Sequence, residues 1–226
     1  MFLPPAPATQ PGTTWFLGLD LAQRQDFTTL AALSLTWRNA ERDKVTYNWI
    51  REPDLSLCML DRYAQGDSYL SYCFQVERRI DQIRANEPNA TIHLVIDAAG
   101  PGAPIVDEFK RAGLKIHINP VTMTGGHEVT ANKHGGENVP RRMLITKLIL
   151  LLEHGSLKAA PGIPNLGEFQ NEMLNLRAND SATSTTDDLV VATALAAWHA
   201  INTTPELLPT RNPRYTYFAS GTRRLL

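Results

Sequence analysis

The sequence predicts an α/β domain built on a central five-stranded mixed sheet flanked by helices. Three observations predict it. Two segments, Trp15–Ala22 and Thr91–Asp97, are almost unbroken apolar runs of the length a strand buried on both faces requires. Between them the apolar period lengthens from two to three and four residues, the mark of an amphipathic helix. After residue 91 the order strand, helix, strand implies parallel pairing through a right-handed crossover. With 226 residues, 43% of them hydrophobic, the chain can bury one sizeable core and is short for two.

The elements follow in order. Residues 1–13 are Pro-rich and read as a flexible leader; 14–202 form the domain, and 203–226 a surface tail. WFLGLDLA (15–22) is the first strand, and FTTLAALSLTW (27–37) the second. VTYNWIRE (45–52) is the third, completing an antiparallel meander joined by polar breaks. Leu70, Cys73, Val76, Ile80 and Ile83 then recur on one face of a helix over 69–84. TIHLVID is the fourth strand; PIVDEFKRA, stopped by Gly113, is a helix; LKIHINPV is the fifth strand. Residues 122–138 carry four glycines without periodicity and read as a mobile loop. Helices follow at about 140–154, 165–178 and 186–201, the last apolar almost all round and therefore buried.

Composition excludes several classes. The formal charge is −1, from 22 Lys and Arg against 23 Asp and Glu, which rules out a polybasic binder but leaves room for a local basic groove. Two cysteines without a CxxC pair speak against a disulfide scaffold or structural zinc, and the six histidines lack metal-ligand spacing. No apolar run reaches the ~20 residues of a membrane helix, and no secretory signal precedes the domain. The expectation is a soluble protein of the cytoplasm.

The informative residues are acids in apolar surroundings. Asp20 lies inside the first strand, where an unpaired carboxylate costs several kcal/mol. Asp97 ends the fourth strand, at the carboxyl edge where open α/β sheets place their sites. Asp187 and Asp188 open the buried last helix. Each has a structural explanation: amide hydrogen bonds for Asp20, an Asx-turn for Asp97, the helix dipole for the pair. Together, in this order of elements, they point to a shared centre. Converging carboxylates repel unless cations separate them, and two Mg²⁺ or Mn²⁺ ions about 4 Å apart suit in-line phosphodiester hydrolysis.

The segments FLGLDLAQRQDFTTLAAL, VIDAAGPGAPIVDEFKRAGL, PVTMTGG, NVPRRMLITKLILLLEHGSLK and TTDDLVVATALAAW occur in an order that resembles the ribonuclease H-like nuclease domain of tailed-phage terminase large subunits. The resemblance spans Trp15 to about His199. It implies a two-metal endodeoxyribonuclease that cuts double-stranded viral DNA during packaging, in the cytoplasm of a bacterial host. It implies Asp20, Asp97 and Asp188 as metal-binding and catalytic acids, with Asp187 competing for the third position and Asp26 as an accessory acid. Thr186 stands where many relatives have His, and Arg141 where many have Lys. Lys133, His134, Arg141, Arg142 and Lys147 are the candidate DNA-contacting residues. No GxxxxGK[ST] motif is present, so a separate ATPase motor, with a small terminase subunit and portal, are the implied partners. Other readings are a non-catalytic DNA-binding or packaging module, a junction resolvase-like nuclease, and half of an actin-like ATPase built on GLDLA.

Overall fold

A computed structural model describes residues 12–21, 27–99, 102–132, 135–178 and 187–208. Asp26, Lys133, His134, Thr186, residues 1–11 of the leader and residues 209–226 of the tail lie outside them.

The apolar run becomes β1 (Thr14–Asp20), which sits inside the sheet because both its faces can be covered. It pairs antiparallel with β2 (Thr29–Arg42) and parallel with β4 (Thr91–Asp97). Outside β2 runs β3 (Trp49–Arg62), and outside β4 runs β5 (His117–Thr124). Between strands come α1 (Tyr69–Asn86) and α2 (Gly102–Arg111). After β5 come β6 (Thr130–Ala131), β7 (Glu137–Pro140), α3 (Arg141–Glu153), β8 (Leu157–Ala159), α4 (Leu166–Ala178) and α5 (Asp188–Thr203). The sheet order is β6-β7-β5-β4-β1-β2-β3-β8.

Strand alternation sorts the core onto two faces. Leu17, Leu19, Leu94 and Ile96 join Val76, Ile80 and Phe109 of α1 and α2 on one. Phe16, Leu33, Leu57 and Val95 join α3, α4 and α5 on the other. The chain stays packed a little beyond α5, through a short 3₁₀ turn at Pro205–Leu207 whose Leu207 is buried. Among the described residues no helix is long and apolar enough to cross a membrane.

The mixed α/β plan is the expected one, with eight strands among the described residues rather than five. The third strand begins later and runs further than VTYNWIRE. Its continuation contains Pro53, which reads as a turn in sequence. Here Pro53 pairs with Trp37 where β3 has no outer neighbour among the described residues, β8 reaching only Leu55–Leu57, so no ladder bond there needs its missing N–H. The expected loop at 122–138 contains β6 and β7. β7 escapes a periodicity search because it is four residues long and depends on Gly136, where a Cβ would lie 1.7 Å from the Pro120 carbonyl oxygen of β5.

A bulge in β3 decides which side chains reach which face. Ala32 pairs with Met59 but Leu33 with Leu57, leaving Cys58 as the extra residue. Leu55, Leu57, Leu60 and therefore Arg62 face α4 and α5, whereas Asp61 and Tyr63 face α1. Without that one-residue shift, the end of β3 would present the opposite set.

α5 lies directly on β1. A Cβ at Gly18 would stand 1.9 Å from the Ala192 carbonyl oxygen and 2.9 Å from the Ala196 nitrogen, so glycine is what admits the helix backbone. The helix runs opposite to the strand. Its first residue, Asp188, bonds to Thr29, the partner of Asp20, while His199 meets Phe16 and His93 at the other end.

At that far end His93, His117 and His199 cluster. The His93 and His117 rings stack at 4.7 Å, and His199 Nε2 lies 3.0 Å from His93 Nδ1. Burial and the neighbouring His199 and His117 push His93 down to about 4; burial lowers His199 as well, with Glu137 opposing.

Two predictions follow from this packing. Replacing Gly18 with Ala forces rigid backbone apart, so it should cost about 3 kcal/mol or more and lower Tm on the order of 10 °C. A thermal melt within 2 °C of the parent would show that α5 does not rest on Gly18. Burial keeps His93 and His199 proton-free in the fold, yet in the unfolded chain they take up protons below about pH 6.5. Their contribution is therefore complete above pH 6.5 and lost as pH falls towards 4. Urea midpoints measured from pH 7 to pH 4.5 should decline less steeply in His93→Gln than in the parent; parallel curves would refute this.

Candidate functional site

The carboxyl ends of β1, β4, β5 and β7 share one edge of the sheet with the start of β2 and the end of β3. Asp20 and Asp97 each follow the last β1–β4 pair, Leu19 with Ile96, so they end adjacent strands side by side. Thr29 pairs with Asp20 across β2, and Arg62 pairs with Thr29 across β3. A lateral row of Asp97, Asp20, Thr29 and Arg62 therefore crosses four strands. Alternation turns all four towards the face covered by α5.

Gly18 brings the third acid to that row. From the Gly18–Ala192 contact, Asp20 lies two residues on, about 6.6 Å up the strand. Asp188 lies four residues back, about 6 Å along the helix in the same direction. The two rises match, and Thr29 records it: its hydroxyl donates to the Asp188 carbonyl at 2.8 Å. The Asp188 carboxylate accepts from the Phe27 amide at 3.2 Å and is 6% exposed.

Asp97 is 9% exposed. Its carboxylate accepts from the Ala99 amide at 2.9 Å and from the Met123 amide of β5. Burial nevertheless holds its pKa above the ordinary aspartate value, the amides only partly offsetting the lost hydration. A buried carboxylate with that balance is stabilised by any nearby cation.

Asp187 takes a different direction. It occupies the N-cap of α5 without capping it, and its carboxylate is ion-paired with Arg141 at the start of α3. The capping falls to a residue the sequence does not mark. Glu172, on α4 and 7% exposed, accepts from the Val190 amide at 3.1 Å and from Arg62. Burial pushes Glu172 up to about 7 against the opposing Val190 amide and Arg62, with Asp188 and Asp187 adding to the rise. Arg62 also pairs with Glu168 and lies 4.9 Å from the centre of the Phe27 ring. Neither Arg62 nor Glu172 stands out in sequence: one ends a strand and the other lies on an ordinary helix. Only a polar residue at an apolar-face position of α4 could have hinted at Glu172.

The candidate basic residues separate. Arg141 is engaged by Asp187, and Arg142 bonds to His127 on the exposed rim. Lys147 lies elsewhere: its ammonium sits 4.1 Å from the centre of the Trp198 ring and bonds to Asn202, fourteen residues from Asp188 and about 21 Å along α5.

The donors at this edge are carboxylate oxygens, the ligand type preferred by Mg²⁺ and Mn²⁺, and Asp97 is already desolvated. In kind, the residues fit hard divalent cations. As the side chains lie, no three His, Cys, Asp or Glu among the described residues form a ready metal cluster. Asp97 and Asp188 instead turn towards amide donors, which hold like charges apart.

No protein-family model matches the chain. No curated protein matches it in sequence. Among solved structures it is similar to the human cytomegalovirus terminase nuclease domain, with a TM-score of 0.53, 14% identity and 88% of each chain covered. A manganese-soaked structure of that domain gives 0.56 and 14%, covering 89% of this chain and 90% of the other. The fold is thus that of a terminase nuclease domain of the ribonuclease H-like type. The sequence resemblance to phage enzymes reappears as a structural likeness to a herpesvirus one.

The tie between strand row and helix is open to measurement. Thr29→Val removes the bond to Asp188 and should cost about 1–2 kcal/mol; Arg62→Gln leaves Glu172 buried without its cation and should cost about 3 kcal/mol. Urea unfolding reads both, and midpoints equal to the parent would mean that neither residue anchors α5.

Proposed function

We propose that this chain is a metal-dependent endonuclease hydrolysing phosphodiester bonds of double-stranded DNA, in the manner of the terminase nucleases it resembles. The carrying observation is the placement of Asp20 and Asp97 on adjacent strand ends with Asp188 held over them by α5. Divalent cations would supply Lewis-acid charge at the phosphate and a nucleophile from water at neutral pH. Asp20, Asp97 and Asp188 would be the residues to hold such ions. The Ala99 and Met123 amides fix the Asp97 carboxylate, and the Phe27 amide fixes that of Asp188. Asp187, held by Arg141, is the weaker candidate for the third ligand. Arg142, on the rim, is the remaining described candidate to meet the DNA backbone. A motor, a small terminase subunit and a portal would be its partners in packaging.

A second reading, a DNA-binding packaging module that cleaves poorly, draws on the lack of a ready metal cluster among the described residues. Calorimetry with Mn²⁺ separates the two, since an inert module fills no site at millimolar ion.

Plasmid cleavage in Mn²⁺ should fall on the order of 1000-fold in Asp20→Asn and Asp188→Asn, and far less in Asp187→Asn. A second readout comes from stability. The Asp97 pKa is raised in the fold, so its ionised form is a penalty at pH 8 without metal. Asp97→Asn should raise the metal-free Tm and abolish the increase that Mn²⁺ gives the parent. Cleavage by Asp20→Asn at the parental rate, or a Mn²⁺ shift that survives in Asp97→Asn, would overturn the assignment.

A further inference from the structure

One cleft at the same edge of the sheet is not used by the acids. It lies between the end of β3 and α1, measures about 150 Å³, and is lined by Tyr63, Gln75, Arg78, Arg79 and Gln82. That is room for about five waters or one tetrahedral oxyanion with its solvent.

Its walls are rich in donors. Tyr63 is 7% exposed, and its hydroxyl is buried without a hydrogen-bond partner among the described residues. Such an orphan costs stability unless a ligand or water completes it. Arg79 is held in place by Asp61, through Nε at 2.6 Å and Nη2 at 2.9 Å, and by the Gln82 carbonyl at 2.8 Å. The Gln82 amide is thereby oriented with its own N–H groups left for another acceptor. Gln75 already donates to Asp67 and Ser71. Asp61 neutralises Arg79, so Arg78 supplies the net positive charge; it forms no ion pair with a carboxylate among the described residues.

The cleft's position relates it to the acids. Tyr63 follows Arg62, the last member of the row Asp97, Asp20, Thr29, Arg62, and its amide donates to the Thr28 carbonyl. β3 stands two strand spacings from β1, about 10 Å, which is roughly three nucleotides of strand rise. The cleft opens on the α1 side of the rim and the acids on the α5 side, so a strand crossing the rim would meet both.

We propose that this cleft binds a phosphate group, namely a backbone phosphodiester of the DNA strand a few nucleotides from the bond held at Asp20, Asp97 and Asp188. The phosphate oxygens accept from the Tyr63 hydroxyl, the Arg78 guanidinium and the Gln82 amide. The nucleic-acid part of this assignment rests on the nuclease reading; the oxyanion part rests on the cleft alone.

The test uses the full chain without divalent metal, so cleavage plays no part. Tyr63→Phe keeps the ring and removes only the orphan hydroxyl, and Arg78→Gln alters an exposed side chain; thermal melts check that both fold. Inorganic phosphate, followed by amide chemical shifts, should perturb Tyr63, Gln75 and Gln82 in the parent and leave them unmoved in the double variant. Affinity for a short duplex in EDTA should drop on the order of fivefold in Arg78→Gln, with the salt slope reduced by about one. Parental phosphate and duplex binding in both variants would overturn the proposal. Phosphate binding at the cleft with no duplex binding by the parent would uphold the oxyanion site and overturn its nucleic-acid assignment, whereas the nuclease reading stands or falls separately on Mn²⁺-dependent cleavage by Asp20→Asn.

Discussion

The backbone-to-backbone approach of α5 and β1 at Gly18 is the constraint on which the rest of the molecule depends. Any side chain there would hold the helix off the sheet by the thickness of a methyl group or more. With glycine, the helix descends until its alanines, Ala192 and Ala196, touch the strand. Its register along β1 is then set by shape rather than by any polar contact. One turn from that contact the helix delivers Asp188; two residues from it the strand delivers Asp20. The same docking buries nearly all of α5, which is why the helix is apolar almost all round except at its two ends, Asp188 at the first turn and His199, Asn202 and Thr203 at the last.

Burying the start of a helix creates a second demand, because its first amides need acceptors. Two adjacent acids stand there and divide the work by direction. Successive helical residues are rotated by about 100°, so Asp188 turns inward to the Phe27 amide while Asp187 turns outward to Arg141. Neither caps the helix. Glu172 does so from α4, and Arg62 neutralises part of the acid charge gathered there. The apolar docking of α5 is thus completed by a polar bracket from β3 and α4.

Much of this was legible in the sequence, for reasons that differ by element. β1, β4 and α5 are buried on all sides, so their composition is nearly uniform and announces itself; α1 has one wet face and announces itself by period. Acids inside such segments are visible because the surroundings make them costly. β3, β7 and β8 were not legible in full. Pro53 is tolerated because β3 has no outer neighbour there among the described residues, and β7 depends on Gly136 lying on Pro120. Arg62 and Glu172 look like surface residues until the bulge at Cys58 turns one of them towards the other.

What the sequence by itself determined is the set of strongly buried segments, their order, and the acids embedded in them. Each of those follows from local chemistry: apolar run length, period, and the cost of a desolvated charge. What only the tertiary structure decided is where each acid is placed and what surrounds it. The choice of Asp188 over Asp187 at the row, the cap from Glu172, and the donor-lined cleft beside Tyr63 all depend on side-chain direction. Direction is set by strand register, by one bulged residue, and by a helix axis resting on a glycine. These are relations between distant segments, and no window of sequence contains both partners.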